Sequence, residues 1–405
     1  MRLSNKRILI GISGGIAAYK IPELIRQLVK EGAEVRVATT PNALQFVTEL
    51  TLQTVSGCRV YSDVFAAINE HATEHISLPD WCDAMLVAPA TANVLCKTAA
   101  GIADDALTTT ICSCVARKPV IFAPAMNDKM WENPAVQQAV ATLRTWSNIR
   151  IAEPAEGLLA CGTSGKGRMQ EIDALQEALE YTFAPQTMTG KHVLITAGGT
   201  QEPIDPVRFI SNYSTGKMGI ALAHECARRG AEVTLVCGSV SVPVHDPFGR
   251  ITRVDALSAQ AMYEACVSRW DTMDMAILCA AVADFTPKQT AENKIKKEAI
   301  SGQSSAFSLP LKETPDIAKA LGERKQAGQK LIGFALETEH EKENALRKLE
   351  RKHLDAIVLN SLRDRGAGFG TDTNQVTILF PDGQAAALPL QSKATIAKGI
   401  LDSLT

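Results

Sequence analysis

The chain has 405 residues, 46% of them hydrophobic and 21% charged, with a formal net charge of −2. That length admits two or three domains, and the near-neutral balance gives no global electrostatic case for nucleic acid or an anionic membrane. No apolar run is long enough for a membrane-spanning helix, and the N-terminal "MRLSNKRILIGIS" turns into a strand too soon for a signal peptide. Residues 6–12, "KRILIGI", read as a strand that runs into Gly14-Gly15. Ile16, Ala17, Ile21, Leu24, Ile25, Leu28 and Val29 then recur at helical spacing, Gly32 suits the helix C-terminus, and "AEVRVATT" is the next strand. "AMLVAPATAN" and "PVIFAPAMN" are continuous apolar runs that end in Asn93 and Asn127. Fully buried parallel strands read this way, with polar groups at their C-terminal ends.

"GLLACGTSGKGRM", 157–169, places Cys161 among four glycines. Structural cysteines are usually buried, whereas glycines this dense mark a surface loop, so Cys161 sits on what reads as a lid. The ten cysteines of the chain form no C-x-x-C, and Cys112 and Cys114 are too close for a zinc pair. Free thiols in a reducing cytoplasm are expected. "YTFAPQTMTGK", 181–191, is the best linker candidate. The plan then restarts: "KHVLITAGGT" is a strand and loop, "GKMGIALAHECARRG" an amphipathic helix, "AEVTLVCG" a strand. "QEPIDPVRFISNYST" is inserted before that helix, at the strand end where α/β proteins bind ligands. "MAILCAAVAD", "KLIGFALET" and "DAIVLNS" follow, ending in Asp284, Glu337 and Asn360, and "QVTILFPDGQAAALPL" predicts a hairpin over Asp382-Gly383. The fold class is α/β: two Rossmann-like three-layer domains with mostly parallel sheets, 1–190 and 191–405.

Neither glycine loop is G-x-G-x-x-G, and the second strands end in Thr39-Thr40 and Cys237-Gly238, without an acid for a dinucleotide ribose. A glycine loop opening a helix still favours a phosphate, to which Ser13, Thr40 and Thr91 could add hydroxyls. The alternative is glycine needed only for tight strand–helix packing. Walker A is absent, since Met218 replaces its Ser or Thr, yet Lys217 still makes a basic, amide-rich helix start. "HATEH", 71–75, fits a metalloprotease pattern, but the pattern is short, and His75 reads as a structural histidine or a catalytic base. "NKIKKE", 293–298, follows Asp284; a carboxylate for an ion and lysines for phosphates suit a metal–nucleoside triphosphate. Lys348 and Lys352 share one helix face at i,i+4, although a solvated face is the plain reading of any such run.

"GISGGIAAYK", "PATAN", "PAMNDKMW" and the Cys161 lid resemble the homo-oligomeric flavin-containing cysteine decarboxylases. "GGTQEPIDPVRFISNYSTGKMG", "AAVADF" and "KIKK" resemble the phosphopantothenate–cysteine ligases. In this order, over nearly the whole chain, they resemble the bacterial bifunctional enzymes of coenzyme A biosynthesis. Those enzymes join phosphopantothenate to cysteine and decarboxylate the product to phosphopantetheine. The resemblance implies a flavodoxin-like, FMN-binding decarboxylase over 1–190 and a CTP- and Mg²⁺-dependent ligase over 191–405. It puts the flavin on Gly14, Gly15, Ile16, Thr40, Thr91, Ala92, Asn93 and Ala125. His75 matches the catalytic histidine, Asn127 the substrate-holding asparagine, and Cys161 the proton donor. Asn212 matches a residue that turns over the acyl-cytidylate, and Lys294 a further catalytic residue. Asp284, Lys294, Pro315, Asp316, Ile317, Ala318, Phe334, Lys348 and Lys352 match the nucleotide site, with Asp284 toward the metal. Gly199 stands where relatives often carry proline, and Thr215 where many have serine. The implied assembly is a cytoplasmic dodecamer of trimeric flavin domains and dimeric ligase domains. The rival is a flavin-binding regulatory protein of the same fold, against which His75, Asn127 and Cys161 argue.

The implied chemistry accounts for the lid. A carboxylate next to an amide nitrogen does not leave unaided, because the carbanion has no sink. Oxidising the thiol end to a thioaldehyde places the carboxylate β to C=S, and its loss gives a stabilised enethiolate. A proton must then arrive only after substrate is enclosed, which a cysteine on a closing lid provides.

Overall fold

The computed structural model describes residues 2–65, 73–158, 162, 164–296, 308–337, 339–361, 366–368 and 370–404. Two units form, Met1–Ala184 with His245–Gly249, and Pro185–Val244 with Arg250–Thr405. No described helix is long and apolar enough to cross a membrane.

In the first unit, β1 (Arg7–Ile12), β2 (Glu34–Thr39), β3 (Val60–Tyr61), β4 (Ala84–Ala90), β5 (Val120–Pro124) and β6 (Ile149–Ile151) make one parallel sheet. Its order is β3-β2-β1-β4-β5-β6. β3 is a two-residue edge strand, and the five strands without it run in the doubly wound flavodoxin order. Alternation along the strands builds three layers. Ile8, Ile10 and Ile12 join Leu24, Ile25, Leu28, Leu175 and Leu179 on one face. Leu9, Met85 and Val87 join Leu107, Ile111, Val136 and Val140 on the other.

The helix after β1 departs from its predicted stripe. Its first turn, Ile16–Lys20, is 3₁₀, and only Ile21–Lys30 is α-helical. The tighter turn leaves Ile16 56% exposed instead of in the core. The "GLLACGTSGKGRM" stretch is a hairpin rather than a bare loop, with arms β7 (Ala155–Leu158) and β8 (Ser164–Arg168). Cys161 falls outside the described residues.

The second unit contains β9 (His192–Ala197), β10 (Gln201–Pro203), β11 (Phe209–Ser211), β12 (Glu232–Cys237), β13 (Ile251–Asp255), β14 (Met275–Leu278), β15 (Phe285–Pro287), β16 (Leu311–Glu313), β17 (Lys330–Glu337), β18 (Ala356–Ser361), β19 (Thr373–Leu379) and β20 (Ala385–Ser392). Its main sheet is β13-β12-β9-β14-β17-β18-β19-β20, parallel up to β18 and antiparallel across β19 and β20. The insertion folds as the antiparallel pair β10–β11. Leu194, Val236, Ala276 and Ile357 pack with Met262, Cys266, Ile317 and Leu349 on one face. Val193, Ile195 and Leu235, of opposite parity, are buried toward the helix Lys217–Arg228, which packs with Lys393–Leu404. The linker candidate is not a free tether: Met188 is 3% exposed, and its N–H donates to Arg229 O at 2.9 Å.

Candidate active sites

A cavity of about 830 Å³ opens at the C-terminal ends of β1, β2, β4 and β5. This is the point where the strand order reverses, the place where open α/β sheets take ligands. Gly14, Gly15, Ile16, Thr40, Thr91, Ala92, Asn93, Ala125 and Asn127 all line it. The geometry gives the loops their residue types. Ser13 Oγ donates to Pro89 O at 2.7 Å and accepts from Thr91 N–H at 3.0 Å, tying the loop after β1 to the loop after β4. Ser13 is 1% exposed, and its hydroxyl braces the cavity wall that it helps to line. Thr40 Oγ1 accepts from Ala43 N–H and caps the next turn. A Cβ on Gly14 would lie 2.5 Å from Asn42 Cβ, so only glycine lets those two loops meet.

The lid hairpin lies directly on the "PAMN" segment. Met126 N–H donates to Gly167 O at 2.9 Å, and a Cβ at Gly167 would be 2.3 Å from Met126 O. A Cβ at Gly165 would be 2.8 Å from Asp128 Cβ, so these two lid glycines serve contact rather than hinging. Asn127 caps the short helix Asp128–Trp131 through Oδ1, which accepts from Lys129 N–H at 3.0 Å. Glu171 binds both Lys20 and Arg168, two cations of the cavity wall. His75 is half-buried in the first turn of the helix Glu74–Trp81 and does not line this cavity in its own chain. His71 of the "HATEH" match lies outside the described residues. Among the described residues, no group of three or more His, Cys, Asp or Glu side chains is placed to hold a metal. The nine described cysteines are all free thiols.

A second cavity, of about 660 Å³, opens in the other unit at the C-terminal ends of β9, β14, β17 and β18. Asn212, Asp284, Pro315, Asp316, Ile317, Ala318, Phe334, Lys348 and Lys352 line it. Asn212, just past β11, donates through Nδ2 to Ala281 O at 3.0 Å, so the insertion does reach this site. Asp316 caps the helix Ile317–Glu323 by accepting from Lys319 N–H at 3.0 Å, and it pairs with Lys352 Nζ at 3.0 Å. Burial pushes its carboxyl up, but those donors outweigh burial and leave it below the ordinary carboxylate range. Lys348 Nζ pairs with Glu337 Oε1 at 2.6 Å.

Lys294 is exposed and is not among the lining residues. The next residue is gripped from both sides: Ile295 N–H donates to Asp205 Oδ2 at 3.1 Å, and Arg208 Nη2 donates to Ile295 O at 2.9 Å. The last lysine of this stretch, Lys297, lies outside the described residues. Sequence reasoning passed over Lys393, a buried lysine on the cavity wall, and Gly368 beside it. Their signal was the alternating glycines of "GAGFGTD", a spacing that asks for a backbone few other residues adopt.

Fold and cavities together define an α/β flavoprotein joined to a second, ligand-binding α/β unit. Residues 1–183 match the flavoprotein family, and 188–405 match the DNA/pantothenate metabolism flavoprotein C-terminal domain. The chain is 46% identical over 405 residues to the coenzyme A biosynthesis bifunctional protein CoaBC of Bacillus subtilis (strain 168), covering 99% of this chain and 97% of that protein. It is 40% identical to that of Escherichia coli (strain K12), covering 100% and 98%. A crystal structure of the C-terminal domain of a CoaBC protein aligns at 42% identity and a TM-score of 0.44, over 53% of this chain and 96% of that one. The chain belongs to the bifunctional CoaBC family of coenzyme A biosynthesis. Its activities are those of a phosphopantothenoylcysteine decarboxylase and a phosphopantothenate–cysteine ligase.

Proposed function

We propose that the second unit uses CTP and Mg²⁺ to activate 4′-phosphopantothenate as an acyl-cytidylate, which cysteine then attacks. The first unit, with FMN, decarboxylates the product to 4′-phosphopantetheine. The observation that carries this reading is that residues scattered over more than a hundred positions converge on one cavity in each unit.

The first cavity fits FMN in several ways. Its volume is in the range of cofactor sites, its Gly14-Gly15 loop opens a helix that favours a phosphate, and Ile16 and Met130 offer apolar wall. Bound FMN would supply a two-electron acceptor for the thiol-bearing carbon and would return the same two electrons as hydride after carbon dioxide has left, so that the product is again a thiol. Asn127 holds the substrate carboxylate against the cap of the helix Asp128–Trp131. Carbon dioxide leaves once C=S is formed, and Cys161 delivers a proton to the enethiolate carbon under the lid. His75 lies outside this cavity in its own chain; in the proposed trimer of flavin units, His75 of a neighbouring copy serves as the acid–base group.

In the second cavity Asp284 and nucleotide oxygens would hold the Mg²⁺, which usually keeps phosphates and waters among its ligands. Lys348 and Lys352 face the nucleotide. Lys294 neutralises charge as the carboxylate meets the α-phosphate, and Asn212 acts on the formed intermediate. Trimeric flavin units and dimeric ligase units make a cytoplasmic dodecamer.

Quenched reactions of the full-length protein test the reading by mass spectrometry. Without cysteine, Asn212→Asp should accumulate acyl-cytidylate and Lys294→Gln should form almost none. With supplied phosphopantothenoylcysteine, Cys161→Ser should release carbon dioxide and stop at the oxidised enethiol, because a hydroxyl is a far weaker acid than a thiol. A normal phosphopantetheine yield from Cys161→Ser, or wild-type acyl-cytidylate from Lys294→Gln, would overturn the assigned roles.

A further inference from the structure

Lys294 stands on a stretch of chain with no regular shape of its own. From residue 288 to 296 the backbone forms neither helix nor strand. A lysine carries its ammonium on a long flexible stem, so what the fold can fix is the backbone beneath it. That backbone is tied to the tip of the β10–β11 insertion. Thr290 Oγ1 donates to Pro203 O at 3.1 Å, and Ala291 N–H donates to Ile204 O at 2.9 Å. Ile295 N–H donates to Asp205 Oδ2 at 3.1 Å, while Arg208 Nη2 donates to Ile295 O at 2.9 Å. Both backbone groups of the residue after Lys294 are therefore held by one acid–base pair. Ile295 is half-buried, and Lys294 and Lys296 on either side of it are exposed.

Asp205 is the centre of this contact, and it is only 3% exposed. Its two oxygens do different work. Oδ1 accepts from the N–H groups of Val207 and Arg208, both at 2.8 Å, which shapes the turn between the two short strands. Oδ2 accepts from Ile295 N–H and from the Arg208 guanidinium, through Nε at 3.0 Å and through Nη2. The guanidinium and the three N–H groups hold this carboxyl well below the ordinary carboxylate range in spite of its burial. An amide oxygen suffices to shape such a turn, but a guanidinium and a further N–H converging on the second atom call for a carboxylate. Asp205 does not line the second cavity, whereas Asn212, just past the end of β11, does.

We propose that Asp205 is a positioning residue of the ligase: through Ile295 it sets where Lys294 stands, and so governs the first ligase step without touching substrate. In that step a carboxylate oxygen of 4′-phosphopantothenate bonds to the α-phosphorus of CTP, the bond from that phosphorus to the bridging oxygen breaks, and pyrophosphate leaves. Charge gathers at the α-phosphate, so an ammonium group displaced by even a small distance loses much of its effect. The insertion thus serves both steps, the second directly through Asn212 and the first through Asp205. This role rests on the reading of Lys294 as the charge-neutralising group.

Rapid-quench kinetics of the full-length, flavin-loaded protein test it. Asp205→Asn keeps an oxygen for the turn and sets an NH₂ group against the donors of Ile295 and Arg208. It should slow acyl-cytidylate formation from Mg·CTP and 4′-phosphopantothenate by roughly 10- to 100-fold, the loss that a displaced catalytic group brings. Calorimetric affinity for Mg·CTP should stay near the parental value, and cysteine should attack supplied acyl-cytidylate at the parental rate. In the Lys294→Gln background, Asp205→Asn should bring no further loss, because its effect passes through the lysine. A residue that only held the fold would slow both steps and add its loss to that of Lys294→Gln. Either result overturns the proposal, as does parental acyl-cytidylate formation by Asp205→Asn. Should Asp205→Asn not fold, the exposed Thr290→Val removes a single tether from the same stretch. It should slow the first step alone, by roughly 2- to 5-fold, and have no effect in the Lys294→Gln background; failure on either count overturns the proposal. Parental acyl-cytidylate formation by Lys294→Gln itself would refute the reading of Lys294 and the role of Asp205 with it, whereas a failure confined to the Asp205 and Thr290 variants refutes the positioning role alone.

Discussion

Gly167 fixes where the lid meets the rest of the flavin unit. Its missing side chain lets β8 lie on Met126 and Asn127, a segment of the cavity wall. A methyl group there, 2.3 Å from a backbone oxygen, cannot be absorbed by a side-chain rotation, so the strand must lift. Gly167→Ala should cost about 1–3 kcal/mol, as overpacking does, and should lower the flavin-to-protein absorbance ratio. Gly101→Ala is the contrasting case: no atom lies within 4 Å of its Cβ position, and only its φ of +72° is offended. That change should cost about 1 kcal/mol and leave the flavin content alone. Equal flavin retention by the two variants would show that the lid contact does not support the cavity. The sequence shows only that glycines are dense at 157–169; whether each one turns, hinges or packs depends on what lies opposite.

At the scale of elements, the long parallel strands were legible because burial on both faces demands continuous apolar runs, as in "AMLVAPATAN" and "KLIGFALET". The three-residue strands β10, β11, β15 and β16 were not, since three residues carry no period. Nor was the use of Ser13, whose partner Pro89 lies 76 positions away. The cavity residues of both units were named through family resemblance; local pattern alone offered only a phosphate loop and a lysine face. The helix Ile172–Phe183 holds another feature that no pattern announces. Glu180 lies among core residues, and its burial, aided by Glu31 and Glu177, outweighs its pairing with Arg2 and pushes its carboxyl up to about 7. Between the ordinary carboxylate value and about 7, the folded chain therefore holds a proton that the unfolded chain has lost. Stability falls as pH rises through that window, by up to about 3 kcal/mol. Glu180→Gln removes this dependence. The flavin-release midpoint of the variant, relative to the parent, should therefore climb between about pH 5 and pH 8. A difference that stays constant with pH would place the Glu180 carboxyl back in the ordinary range.

For the whole molecule, the first unit is discontinuous in sequence, and this governs how the chain can be divided. Every residue lining the flavin cavity lies at or before Met169, so a fragment of residues 1–190 holds the complete cavity wall and should purify yellow. That fragment lacks His245–Gly249, which belongs to the same unit. Phe248 stands edge-on to Tyr181 with ring centroids 5.5 Å apart, lies 5.3 Å from the Arg150 guanidinium and packs against the core cluster of Leu175 and Leu179. His245 Nδ1 is 3.8 Å from Glu177 Oε1, a pairing that raises the imidazole above its ordinary value. The fragment should therefore melt below the flavin unit of the intact chain, and Phe248→Ala in the intact chain should reproduce roughly 1–2 kcal/mol of the loss. A raised histidine stabilises the fold fully below its unfolded value, and the gain disappears as pH rises through the folded one. The gap between fragment and intact chain should accordingly be wider near pH 6 than near pH 8. Flavin fluorescence during thermal melting measures both quantities. A folded but colourless fragment would remove the assignment of the flavin site to residues 1–190, and a fragment as stable as the intact chain would show that 245–249 adds nothing to the unit.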